Sequence, residues 1–148
     1  MEVIAERGKS IEATDARSAA ASGKRLWAGR IMSGLAILFL AFDAVAKLLR
    51  LPPVLEGTAK LGYPVSVVFG LGTVLLVCVI LYAIPRTSIL GAILLTGYLG
   101  GAIATHVRVG DPLFSHTLFP IYVAILIWGG LYLRDDRLRA LIPLRARD

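Results

Sequence analysis

Two ionisable side chains interrupt the first long apolar run of this chain. Asp43 and Lys47 lie four residues apart, so on a helix they face the same side and can pair. An unpaired charge inside a membrane costs about 2.5–3.5 kcal/mol on insertion scales, so we expect them to pair. The pair is interpreted in two ways. In the first, the pair has a structural role alone: it fixes the helix, with Lys47 reaching outward. In the second, the pair belongs to a functional site, because an intramembrane acid near a base is a functional-site candidate by default.

A second polar group surrounds the end of the third apolar run. It comprises His106, with Tyr98 on the same helix face, and then Arg108, Asp111 and His116 in and after the following loop. His106 could exchange a proton with a ligand or simply bond to a backbone or carboxylate partner. Arg108 could bind an anionic head group or a quinone oxygen, or pair with Asp111 to shape the turn. His116 could cap the fourth helix.

Composition excludes several other classes of protein. The 148 residues are 57% hydrophobic with a mean hydropathy of +0.75, and most charges lie in the two tails, as in a membrane protein. The net charge of +6 does not indicate a nucleic-acid partner, because the basic residues flank apolar runs without alternating aromatic residues. A single cysteine, Cys78, excludes an internal disulfide and dithiol exchange. Two histidines without a Cys or Glu partner favour neither a metal nor haem.

The pattern of apolar runs predicts an all-α bundle of four transmembrane helices, at residues 26–49, 65–84, 89–107 and 113–133. The connection 50–64 is too short and charged to span, so we expect a short surface helix in this first outer loop. Residues 1–25 are predicted to be a polar, mobile tail. Residues 134–148 are predicted to be a basic tail with a short amphipathic helix on the membrane surface.

Orientation and packing can also be predicted. Lys and Arg concentrate on the side that carries both termini, so the positive-inside rule places both termini in the cytoplasm and the charged groups at the outer end of the bundle. The small residues Gly97, Gly101 and Thr105 recur every four residues, a pattern typical of close helix–helix contact. Such a face could serve internal packing or dimerisation, and we expect internal packing.

Several segments together resemble the DoxX-like family of bacterial four-helix integral membrane proteins, over about residues 30–147. They are FDAVAKL (42–48), LGYP (61–64), IPR (84–86), LGAIL (90–94), GYLGGAIATHVR (97–108), LRD (133–135) and LIP (141–143). The resemblance implies a four-span bundle in the inner membrane, with the family's acid and lysine at Asp43 and Lys47 and its histidine–arginine segment at His106 and Arg108. It also implies a link to redox or sulfur stress and to membrane-protein maturation, since the family name comes from a subunit associated with thiosulfate:quinone oxidoreduction.

Three functions stay open at this point, and with them the question of whether the chain is an enzyme. The first is an accessory or quinone-side component of a membrane redox or stress system. In this function, an outward-facing polar pocket binds a quinone or other small hydrophobic molecule, and a partner redox subunit lies beside it. The pocket is lined by Asp43, Lys47, His106 and Arg108. The second is an integral-membrane isomerase or cyclase that acts by acid–base catalysis on a lipid-soluble substrate. The third is a non-catalytic assembly factor, in which Asp43 and Lys47 pair directly, the histidines bond to backbone and no cavity remains.

Overall fold

The chain folds into α-helices joined by short turns. The computed structural model describes residues 2–142, with side chains from Ala20 onward, and contains no strand in that range. Its helices are α1 (Glu2–Leu48), α2 (Pro52–Lys60), α3 (Val68–Ala83), α4 (Ser88–Val109), α5 (Phe119–Arg134) and α6 (Asp136–Leu141). A 3-10 turn, Val65–Val67, precedes α3, and a π-helical turn, Leu113–Thr117, precedes α5.

Four segments are long and apolar enough to cross a membrane, which confirms the predicted all-α, four-span fold. They are Ala20–Leu48, Val65–Ala83, Ser88–Val109 and Leu113–Arg134. The connection after the first span contains α2, which begins with Pro52 and Pro53 in its first turn, where proline is tolerated because those N–H groups have no helical partner.

Both ends of the chain are helical within the described residues. The segment 1–25, for which we expect a polar, mobile tail, has a helical backbone from Glu2 that is continuous with the first span. Ala, Glu, Lys and Arg are frequent there and favour helix; the mobility of this segment stays a prediction. After α5, the short helix α6 packs onto the end of the bundle through the buried Leu138. Arg145 and Arg147 of the predicted basic tail lie outside the described residues.

The four spans form a ring in which each helix packs against two neighbours. Helix α1 contacts α3 and α5, and α4 contacts the same two, so α1 and α4 lie diagonally opposite. Glycines allow the closest contacts: a β-carbon on Gly29 of α1 would come within 2.9 Å of the Gly130 carbonyl oxygen of α5. This contact lies near the end of the bundle that carries the termini, whereas a β-carbon on Gly72 of α3 would lie 2.7 Å from Lys47 Cβ of α1, near the end that carries α2.

The prediction of close internal packing at Gly97 and Gly101 is wrong. A β-carbon on either glycine would meet no atom within 4 Å, whereas one on Gly91 would lie 2.3 Å from the Tyr82 backbone nitrogen. The close approach of α3 and α4 therefore occurs at Gly91. The missing side chains at Gly97 and Gly101 leave open space instead.

A buried tyrosine joins three helices in the half of the bundle that carries the termini. Tyr82 of α3 is fully buried, and its hydroxyl donates to the Ile127 carbonyl oxygen of α5 at 2.8 Å. Since that proton is used, the hydroxyl accepts from Ser33 Oγ of α1 at 2.9 Å. Around it lies an apolar core that includes Ala36, Leu40, Ala44, Leu75, Val79, Ala92, Leu95, Val123, Ile127 and Leu131.

Large apolar side chains also cover the outer surface of the spans. Leu38 and Phe42 are 70% and 71% exposed, and similar side chains cover the other spans. A soluble protein rarely leaves a continuous apolar surface in water, whereas a lipid bilayer solvates it at no cost. The chain is therefore an integral membrane protein.

Candidate functional site

A cavity of about 530 Å³ lies between α1 and α4 at the end of the bundle that carries α2, which we call the α2 end. Helix α2 and the connection after it cover this cavity, and the start of α5 forms another wall. The wall is mostly apolar and includes Phe39, Leu40, Leu71, Phe119 and Val123. Gly97 and Gly101 also line it, so the open space that they leave is part of the cavity.

Four of the seven predicted site residues lie on the wall of this cavity: Asp43, Lys47, Tyr98 and His106. The ammonium group of Lys47 donates to Asp43 Oδ1, so the two side chains pair as their spacing predicts. Both are partly buried, and the pairing removes most of the cost of placing either charge in the span. The cavity therefore has one charged, net-neutral side.

His106 is held by a carboxylate. Its Nδ1 lies 2.6 Å from Asp111 Oδ2, and the Asp111 N–H donates to the His106 carbonyl oxygen at 3.1 Å. Gly110, with φ +73°, ends α4 in the left-handed conformation and turns the chain so that Asp111 folds back onto His106. Because an ionised carboxylate only accepts hydrogen bonds, Nδ1 carries a proton. The other ring nitrogen, Nε2, is therefore the one available to a ligand.

Arg108 and Asp111 do not line the cavity and do not pair with each other. The Arg108 guanidinium donates to the Leu61 carbonyl oxygen and lies 6.0 Å from the centre of the Tyr63 ring. The Tyr63 hydroxyl bonds to Thr105 Oγ1 at 2.9 Å. Arg108 therefore does not reach the predicted ligand position. It fastens the connection between α2 and α3 onto α4, and this closes one side of the cavity.

His116 lies beside the site rather than in it. Its Nδ1 is 2.8 Å from Ser115 Oγ on the π-helical turn, and its ring centre is 6.0 Å from that of His106. Among residues 20–142, no three His, Cys, Asp or Glu side chains come together in a way that could hold a metal ion. The structure thus separates the two histidines into one cavity residue and one residue of the adjoining turn.

Sequence reasoning missed several residues of the cavity wall. Thr58 is buried and donates to the Val54 carbonyl oxygen at 2.8 Å, and both line the cavity. The spacing of Val54, Thr58 and Leu61 places them on one face of a helix, a signal that α2 covers something. Phe39 and Phe119 carry no such signal, because a phenylalanine in an apolar span can equally face lipid.

The arrangement can bind a small molecule with one polar end. Small-molecule sites are typically cavities of about 300–1,000 Å³ with apolar walls and a few polar groups that set the orientation. Here Lys47 offers a cation, His106 offers a nitrogen that can accept a proton, and Tyr98 offers a hydroxyl. A ligand with an oxygen-bearing head and an apolar body fits this distribution.

Comparison with known proteins identifies one family. The sequence model of the DoxX-like family matches residues 31–130, which is more than half of the chain, overlaps every span and includes all the predicted site residues. No curated protein and no solved structure matches significantly.

Proposed function

The chain belongs to the DoxX-like family, and from this membership and the cavity at the α2 end we propose that it is an accessory or quinone-side component of a membrane redox or stress system. The ligand is a quinone or a similar small hydrophobic molecule, and the electrons come from a partner redox subunit. The observation that carries this proposal is that His106, held by Asp111, lines the same apolar cavity as the Asp43–Lys47 pair.

Each polar residue has a specific part in this proposal. His106 Nε2 exchanges a proton with a ligand oxygen, since Nδ1 is occupied by Asp111. Lys47 polarises that oxygen, and Asp43 holds the lysine in place. Asp111 is a positioning residue, because it sets the orientation and the tautomer of the imidazole without touching the ligand.

The proposal includes a location and an orientation. We place the protein in the inner membrane of a bacterium with both termini in the cytoplasm, supported by the Lys and Arg residues near the termini. The α2 end then faces outward. Gly97 and Gly101 face the cavity at this end.

A second candidate function is an isomerase or cyclase that acts on a lipid-soluble substrate. The observation that favours it is the same acid-oriented imidazole, because acid–base catalysis needs only a positioned base and acid beside the substrate. If the protein converts a lipid-soluble substrate in the absence of any electron acceptor, that result favours the isomerase or cyclase over the redox component. The third reading, a purely structural role, predicted direct Asp43–Lys47 pairing, which is present. It also predicted that the histidines bond to backbone and that no cavity remains, whereas His106 bonds to the Asp111 carboxylate and a cavity lies beside it.

Ligand stabilisation tests the first function. Decylubiquinone is added to the protein in lipid nanodiscs, and the thermal midpoint is followed for wild type, His106→Gln and the control His116→Gln. We expect concentration-dependent stabilisation of wild type and His116→Gln, since a ligand that binds only the folded state raises stability by mass action. In His106→Gln the apparent Kd should rise about tenfold or more, equivalent to about 1.4 kcal/mol. No stabilisation of the wild type, or an equal loss in both variants, contradicts the proposal.

A further inference from the structure

The two sides of the cavity at the α2 end are closed in different ways. Toward α4, the connection after α2 is fastened by hydrogen bonds, from Tyr63 to Thr105 Oγ1 and from Arg108 to the Leu61 carbonyl oxygen. These bonds fix the chain segments that form that side. Widening the cavity on that side would break these bonds.

Toward α5, two aromatic rings form the closure. Phe39 of α1 and Phe119 of α5 both line the cavity, and their ring centres are 5.4 Å apart in an edge-to-face arrangement. They are 43% and 42% exposed. Among the described side chains, no hydrogen bond or ion pair joins α1 or α2 to residues 111–123. The side-chain hydrogen bonds of residues 111–123 either stay within that segment or go to α4. The rings can therefore rotate apart without the loss of a polar contact.

The aromatic pair lies at a different depth from the charged groups. Phe39 precedes Asp43 by four residues and Lys47 by eight, so it lies about 6 Å and 12 Å deeper along the helix axis. Its neighbours on the outer surface, Leu38 and Phe42, are apolar and strongly exposed. An opening at Phe39 thus leads into the hydrocarbon region, whereas the charged side of the cavity lies toward the membrane surface.

We infer that the contact of Phe39 with Phe119 between α1 and α5 is a lateral portal, and that the cavity takes a membrane-dissolved amphiphile through it when the rings move apart. The polar head lies against Lys47 and His106, and the apolar tail passes between the two rings into the bilayer. This inference rests on the proposed function only in treating the cavity as a ligand site. It adds the route and the ligand class: a molecule with an oxygen-bearing head and a tail longer than the cavity can hold.

Two glycines of α4 offer matched variants that test the cavity itself. A β-carbon on Gly100 or on Gly101 meets no atom within 4 Å, so a side chain can start at either position without a clash at Cβ. Gly101 lines the cavity and Gly100 does not. Gly101→Leu therefore fills the cavity, while Gly100→Leu makes the same change on the same helix and leaves the cavity empty.

Photolabelling tests the portal. Dodecanol with a photoreactive diazirine in mid-chain is added to the protein in nanodiscs, and labelled residues are identified by peptide mass spectrometry. Lipid-facing Phe42 should be labelled in proportion to probe concentration. Label at Phe39 and Phe119 should instead saturate, be displaced by unlabelled dodecanol, persist in Gly100→Leu and fall about tenfold or more in Gly101→Leu.

The outcomes separate the portal from the proposed function. Labelling of Phe39 and Phe119 that rises linearly like that of Phe42, or that saturates equally in Gly101→Leu, overturns the portal, whatever decylubiquinone does in the thermal assay. Saturable, cavity-dependent labelling supports the portal. If decylubiquinone then displaces the label, the quinone-side function is supported as well; if it does not, the portal stands and the quinone-side function falls.

Discussion

The contact of α3 with α4 at Gly91 allows a quantitative test of the packing. A β-carbon at this position would lie 2.3 Å from the Tyr82 nitrogen, 2.5 Å from Tyr82 Cα and 2.7 Å from the Leu81 carbonyl carbon. Non-bonded carbon atoms prefer about 3.5–4.0 Å, so the helices would have to separate by about 1–1.5 Å. The obstacle is backbone, which cannot rotate away as a side chain could. Gly91→Ala is therefore expected to destabilise the bundle.

The magnitude follows from two opposing terms. Overpacking of a well-packed core costs about 1–3 kcal/mol, and alanine in place of a helical glycine returns about 0.5–1 kcal/mol. Because the clash is with backbone, we expect the upper part of this range, a net loss of about 2 kcal/mol. Gly97→Ala on the same helix meets no atom within 4 Å, so it should stabilise by about 0.5–1 kcal/mol. The difference between the two variants isolates the overpacking cost, about 3 kcal/mol.

The assay is reversible unfolding in mixed dodecyl maltoside and SDS micelles, followed by circular dichroism. The midpoint should shift toward less SDS for Gly91→Ala and slightly toward more SDS for Gly97→Ala. Equal midpoints for the two variants, or a stable Gly91→Ala, would refute the reasoning, because the same substitution on the same helix differs only in its surroundings.

Three further predictions concern single contacts. Tyr82→Phe removes the hydroxyl that bonds to a buried carbonyl and to Ser33, so the free energy of unfolding in the same assay should fall by about 1–3 kcal/mol. The control Tyr122→Phe lies at an exposed site and should change the free energy of unfolding by less than about 0.5 kcal/mol. Arg108→Ala should speed amide hydrogen exchange in residues 58–64, because the guanidinium no longer holds that connection; unchanged exchange there would contradict this contact. Asp135→Ala removes the side chain that accepts from two N–H groups at the start of α6, so residues 136–141 should exchange faster, consistent with a loss of about 1 kcal/mol of capping, while α5 keeps its protection.

Much of the architecture follows from the sequence alone. The length and continuity of the apolar runs determine four spans, because a helix must be about 20 residues long to cross the hydrocarbon core. The four-residue spacing of Asp43 and Lys47 determines that they pair, because side chains at that spacing meet on one helix face. Segments spread along the spans also suffice to indicate the family. All of these are local properties or composition, which do not depend on how the helices are arranged.

The tertiary structure alone decides which residues meet across helices. Three glycines of α4 look alike in sequence, yet Gly91 is packed against backbone while Gly97 and Gly101 border open space. Asp111 could have paired with Arg108, but the left-handed turn at Gly110 carries it back to His106. Helical spacing determines the face on which a residue lies. Which residue lies opposite that face, and at what distance, depends on how the four helices pack together. This packing determines both the cavity and the pair of aromatic rings beside it.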